Sequence, residues 1–150
     1  MKKIFFIILI FFFSSNIALS KNIKKAYFGG GCFWCMEEFF DKVKGVEEVI
    51  SGYTGGKTKN PTYKKVTYGN SGHFEAVKII YDSDIIHFNE LLNFYWQNID
   101  PFDSAGQFCD KGLSYRSIVF FKSKNEEETI RNSIKNIEKQ FKGKTVVTFI

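Results

Sequence analysis

The tightest constraint in the sequence is a short apolar segment that runs through three consecutive glycines straight into a helix-forming stretch. Ala26-Tyr27-Phe28 reads as a strand and Gly29-Gly30-Gly31 as a turn. Cys32 to Lys44 then reads as a helix that Gly45 is placed to cap. This order puts Cys32 at a helix start. Glycines take backbone angles closed to other residues and let a second molecule come close. The oriented amides and positive dipole end of a helix N-terminus favour an anion, and a thiolate is the nucleophilic form of cysteine. Cys32 and Cys35 form a Cys-x-x-Cys unit, whose spacing at a helix start brings two sulfurs within disulfide reach.

What precedes this region has the form of a signal peptide. Met1-Lys2-Lys3 is basic, Ile4 to Phe13 is uninterruptedly apolar, and Ala18 and Ser20 satisfy the small-x-small pattern, so cleavage is expected after Ser20. The apolar run is short for a membrane span and apolar on every side, unlike an amphipathic helix. The remaining residues, about 130, are expected to form one domain. Two of the lysines behind the formal charge of +5 lie in the leader. The others alternate with acids, which reads as solvated surface and not as a nucleic-acid stripe. Three cysteines, Cys32, Cys35 and Cys109, follow the leader; an odd number in an exported chain leaves at least one sulfur outside a disulfide framework.

Further along, Val46 to Ser51 reads as a strand and Gly52 to Gly56 as a turn-rich loop. Asn60-Pro61 reads as a cap and first residue of a short helix through Tyr68. Phe74 to Tyr81 is a strand; Phe88, Leu91, Leu92, Tyr95, Trp96 and Ile99 recur at helical spacing before Pro101. Asp103 to Ser114 reads as a loop and Ser117 to Phe121 as a strand. Ser123 and Glu126 suggest a capping box for a helix whose buried stripe is Ile130, Ile134, Ile137 and Phe141, with Val146 to Ile150 as a final strand. Strands and helices mix without regular β-α-β alternation, which predicts an α+β two-layer sandwich. His73 and His87 lack paired ligand spacing, so a zinc site with the cysteines fits poorly and no metal is expected.

The string Gly30-Gly31-Cys32-Phe33-Trp34-Cys35 resembles the A-type peptide methionine sulfoxide reductases. The likeness continues through Ser51 to Gly56, Asn60-Pro61-Thr62-Tyr63, Gly72-His73-Phe74-Glu75-Ala76-Val77, Asp100-Pro101 and Gln107 to Ser117, covering essentially all of Ala26 to Ile150. It implies a mixed sheet of ferredoxin-like character and thiol-dependent reduction of methionine S-sulfoxide, free or in proteins. By position, Cys32 matches the catalytic cysteine, and Phe33 and Trp34 the aromatic wall around the methyl group. Glu75 matches the acid that protonates the sulfoxide oxygen; Tyr63, Asp110 and Tyr115 match the polar groups that hold it. A carboxylic acid kept neutral beside the nucleophile suits that chemistry, because a sulfoxide oxygen leaves only once protonated.

Attack by Cys32 yields a sulfenic acid that a neighbouring thiol converts to a disulfide. Cys35 is the expected resolving residue and Cys109 the alternative. The resemblance further implies a monomer with no bound cofactor and a thioredoxin-like protein as electron donor. Export would place the chain in the periplasm of a two-membrane bacterium. Two departures stand out: Phe108-Cys109 replaces the family's frequent Gly-Asn, and relatives usually continue past the position of Ile150 with a tyrosine- and histidine-containing segment, as a truncated member would lack. The competing readings are an exported thiol-disulfide oxidoreductase using Cys32 and Cys35, which would not need Glu75, and an inactive homologue.

Overall fold

The computed structural model describes residues 20–150, so the leader expected over 1–20 lies, but for Ser20, outside the described residues. Four strands make one sheet: β1 (Ile23–Gly29), β2 (Val46–Thr54), β3 (Phe74–Asp82) and, after a two-stranded hairpin of β4 (Gly106–Gln107) and β5 (Asp110–Lys111), β6 (Ile118–Phe120). Their order is β2-β3-β1-β6, with every neighbour antiparallel. With the helices that follow β1 and β3, this is the split β-α-β order of ferredoxin-like folds. The expected α+β two-layer arrangement is therefore present. Its parallel component, among the described residues, is the single bridge of Phe149 to Ile118 at the β6 edge.

The helices α1 (Phe33–Phe40), α3 (Phe88–Gln97) and α4 (Lys124–Gln140) form the second layer; the short α2 (Tyr63–Tyr68) lies in the β2–β3 connection. Phe33, Met36 and Phe40 of α1 and Leu91, Leu92 and Tyr95 of α3 are buried, the spacing that one helical face imposes. They meet Val77, Ile79 and Tyr81, alternate residues of β3 that share one face of the sheet. Phe28 of β1 is the hub: its ring lies 5.6 Å from Phe40, 6.0 Å from Phe88 and 5.1 Å from Tyr95. The tilted ring pairs are the geometry aromatic quadrupoles favour. On α4, Ile130 is fully buried and Ser133 accepts the Trp96 indole N–H at 3.0 Å, tying α4 to α3.

Several element boundaries move. Helix α1 stops at Phe40, four residues before the expected end, and Gly45 (φ +93) instead serves the turn into β2, where its carbonyl accepts the Asp82 N–H. Strand β2 runs on through Thr54, so Gly52 and Tyr53 belong to the sheet and not to a loop. The cap of α2 is Thr62, whose hydroxyl accepts the Lys65 N–H; Asn60 has φ +50 and lies outside the helix with Pro61. At α4 the capping box is half formed: Ser123 accepts the Glu126 N–H, but the Glu126 carboxylate accepts from Lys122. The stripe on α4 opens at its end, where Phe141 is half exposed against Phe102. Val146 to Ile150 forms no strand; Phe149 is held by reciprocal backbone bonds with Ser117 and Val119.

Candidate active site

Cys32 is the residue from which α1 starts, in extended conformation (φ −60, ψ 118), and its carbonyl accepts the Met36 N–H. Three tight contacts fix the glycine turn before it. Tyr95 donates its hydroxyl proton to the Gly29 carbonyl at 2.8 Å, and the Gly31 N–H donates to the Tyr115 carbonyl at 3.1 Å. Gly31 has φ +83, and a Cβ there would sit 2.8 Å from Cβ of Gln107. A side chain at 31 is thus excluded twice, by backbone angle and by space. Cys32 is only partly exposed, whereas Cys35, one helical turn on, is exposed.

The helix start does not cap the Cys32 sulfur. Its first amide, Phe33 N–H, donates to Oε2 of Glu75 at 3.2 Å. Glu75, on β3, is 2% exposed, and its other oxygen, Oε1, is buried with no hydrogen-bond partner. The carboxyl therefore lies one peptide unit from the cysteine. Burial raises its pKa above the ordinary value of 4.5; the Phe33 N–H pulls the other way, and the nearby Asp110 charge adds to the rise. Desolvation outweighs the single amide because it disfavours the whole anion while the bond compensates at one oxygen.

Around this pair the rings divide into floor and rim. The buried Phe33 ring lies 5.5 Å from Tyr53, which the β2–β3 register sets directly opposite Glu75. Trp34 is exposed and stacks with the half-exposed Tyr63 at 6.4 Å. Tyr115 has its pKa pushed up to about 12, first by burial, then by the neighbouring Tyr63 hydroxyl and the charge of Glu75. Thr67 pulls the other way, yet its Oγ1 meets no partner in hydrogen-bonding geometry. A phenol held protonated in this way remains a donor to an oxygen placed beside it.

Desolvation of the Cys35 sulfur, first, then the neighbouring Cys32 sulfur and the charge of Asp110 raise the Cys35 pKa. Cys109 is exposed beside Phe108 at the tip of the β4–β5 hairpin, and that hairpin reaches the site through Asp110, whose charge both Glu75 and Cys35 feel. The segment expected as a loop is anchored by Gln107, 1% exposed: its side chain accepts the Asp100 N–H at 2.7 Å and donates to the carbonyls of Asp100 and Gly106. Sequence reasoning did not single out Tyr53, Tyr95 or Gln107 for the site. The β-alternation that carries Tyr53 was masked by Gly52 and Gly55, and the aromatic spacing of α3 signals burial without telling which hydroxyl reaches back to the glycines.

The family model for peptide methionine sulfoxide reductase matches residues 24–150. The chain is 49% identical over 113 residues to the peptide methionine sulfoxide reductase MsrA of Listeria monocytogenes, a match covering 75% of this chain and 64% of that protein. It is 44% identical over 133 residues to the MsrA of Halalkalibacterium halodurans, covering 88% and 76%. The fold superposes on methionine sulfoxide reductase A of Corynebacterium diphtheriae with TM-score 0.73 at 28% identity, over 84% of this chain and 62% of that one. Against Mxr1 of Saccharomyces cerevisiae in reduced form the TM-score is 0.76 at 29% identity, over 85% and 75%. The chain thus spans 64% of the length of the Listeria relatives it matches.

Proposed function

Because this chain belongs to the peptide methionine sulfoxide reductase family, we propose that it reduces the S epimer of methionine sulfoxide, free or in proteins, with Cys32 as nucleophile and Glu75 as acid. The observation that carries the reading is the Glu75 carboxyl: buried, held by the Phe33 N–H at one oxygen and unpartnered at the other, beside Cys32. Thiol–disulfide exchange breaks no sulfur–oxygen bond, so it has no leaving oxygen for such an acid to protonate.

In this mechanism the substrate methyl group rests against Phe33 and Trp34, and Tyr63, Tyr115 and Asp110 orient the sulfoxide oxygen. The Cys32 thiolate attacks sulfur, Glu75 delivers its proton to the oxygen, and the oxygen passes to Cys32 as a sulfenic acid while methionine leaves. The sulfur of methionine gains two electrons and the Cys32 sulfur loses two. Cys35, one helical turn from Cys32, then attacks the sulfenic sulfur and gives up its thiol proton as the hydroxyl departs as water, forming the Cys32–Cys35 disulfide. Its exposed sulfur suits a thioredoxin-like dithiol protein as the donor that restores both thiols. Cleavage after Ser20 and export to the periplasm complete the proposal, on the sequence pattern of the leader.

The deciding experiment offers separated S and R epimers of a methionine sulfoxide peptide with dithiothreitol. Consumption of S alone is expected; consumption of R, or of neither, overturns the assignment. Disulfide mapping after one turnover should find Cys32 joined to Cys35, and a Cys32–Cys109 bridge would defeat that part of the scheme.

A further inference from the structure

Arg116 is a charge without a counter-charge. Its guanidinium lies 4.2 Å over the Phe149 ring, and its Nε is buried with no hydrogen-bond partner. Among the described residues no carboxylate pairs with it. A half-buried guanidinium is costly unless something satisfies its rigid set of donors. The group lines a cavity of about 160 Å³ whose walls contain no acid and none of Cys32, Glu75 or Tyr115. Val66, Phe74, Leu113 and Phe149 make the apolar part of the wall. The Gly69–Gly72 loop completes the wall, and among the described residues the N–H groups of Asn70 and Ser71 donate to no acceptor. The one other titratable side chain in the wall, His73, is already engaged: its Nδ1 accepts the Gly56 N–H and its Nε2 meets the Thr58 carbonyl.

We propose that this cavity is a second binding site, separate from the Cys32 centre, for a carboxylate carrying a short aliphatic group. The planar guanidinium fork matches a carboxylate edge to edge, and the loop amides supply further donors. A single cation balances a monoanion better than a phosphate dianion, and the apolar walls fit an alkyl substituent. Two sources share that chemistry, a free short-chain acid and the carboxylate at the end of a peptide. The walls tie the site to the catalytic centre mechanically: α2 carries both Val66 and Tyr63, and the turn Leu113–Tyr115 carries both Leu113 and Tyr115.

The test is a titration of the full ¹⁵N-labelled chain with propionate, propionamide, acetyl-Gly-Val and acetyl-Gly-Val-amide at constant ionic strength in sodium chloride. Saturable shifts of the Arg116 Nε–H and of the Asn70 and Ser71 amides are expected with the two carboxylates only. Tighter binding of acetyl-Gly-Val than of propionate identifies a peptide end as the ligand, and equal or weaker binding a free acid. Arg116→Met should abolish the shifts, and Arg116→Lys, which keeps the charge without the fork, should weaken binding at least about tenfold. If Arg116→Met loses the α4 resonances of the folded chain, Arg116→Lys decides. Shifts that never saturate and match those of chloride, meaning an adventitious ion only, overturn the proposal, as do saturable shifts that persist unchanged in the variants.

Discussion

At Glu75 two opposing influences meet, and the larger one sets the proton. Burial raises the carboxyl pKa against the Phe33 N–H, so the acid form persists to higher pH than for a free glutamate. As a proton donor it should make kcat/KM fall as pH rises through that raised value, and the falling limb should vanish in Glu75→Gln along with a factor of roughly 10²–10⁴ in rate. Alkylation of Cys32 by iodoacetamide should continue in that variant; equal loss of both activities would assign Glu75 a structural role instead. The stability consequence has a defined sign. A carboxyl whose folded pKa is raised binds protons more tightly when folded, so its contribution is present below the unfolded value near 4.5 and is lost as pH rises towards the folded value. Thermal melts of Glu75→Gln against the parent should therefore show the variant gaining relative stability across that window and holding the gain above it. Glu75 is legible in the sequence only through the motif resemblance, since a strand glutamate is ordinarily exposed. Its partner at the helix start is not legible, because neither periodicity nor spacing says which acceptor a first-turn amide finds.

Among the elements, the β4–β5 hairpin departs furthest from the sequence reading. Two-residue strands carry too little alternation to register, and Phe108 at the tip, with φ +46, occupies an angle that bulky side chains disfavour. Phe108→Gly should relieve about 1 kcal/mol of backbone strain, raising the Tm by a few degrees in calorimetry. An unchanged or lower Tm would mean the exposed ring makes a compensating contact. The glycine turn runs in the opposite direction. Gly31→Ala meets both φ +83 and the Gln107 side chain, so a loss of at least about 1–2 kcal/mol is expected in chemical denaturation. Strand β3 and helices α3 and α4 are evident from sequence because their apolar periodicity is long, whereas of β1 only Ala26 to Phe28 reads as strand, because Lys24 and Lys25 interrupt the apolar run before it. The end of α1 and the start of α2 are not evident, since Gly45 and Asn60-Pro61 carry cap-like signals that tertiary contacts use for turns.

For the molecule as a whole, the fold class follows from the mixture of elements, but the order β2-β3-β1-β6 does not, because pairing partners depend on contacts remote in sequence. The interior is organised by rings about Phe28, which touches residues of α1 and α3 at once. Phe28→Ala should cost about 3–5 kcal/mol in denaturant unfolding, more than truncating any single ring at the exposed rim. The turn of α1 that begins at Cys32 has a further implication for altering this protein. The proposed nucleophile, the two rings proposed to receive the methyl group, the amide that holds Glu75 and the proposed second sulfur all fall on four successive residues of one spiral, preceded by a glycine turn that admits no side chain at Gly31. Inserting one residue between Phe33 and Cys35 would swing everything beyond it by about 100°, so the parts cannot be retuned one at a time by shifting spacing. Useful variation is confined to replacing side chains in place.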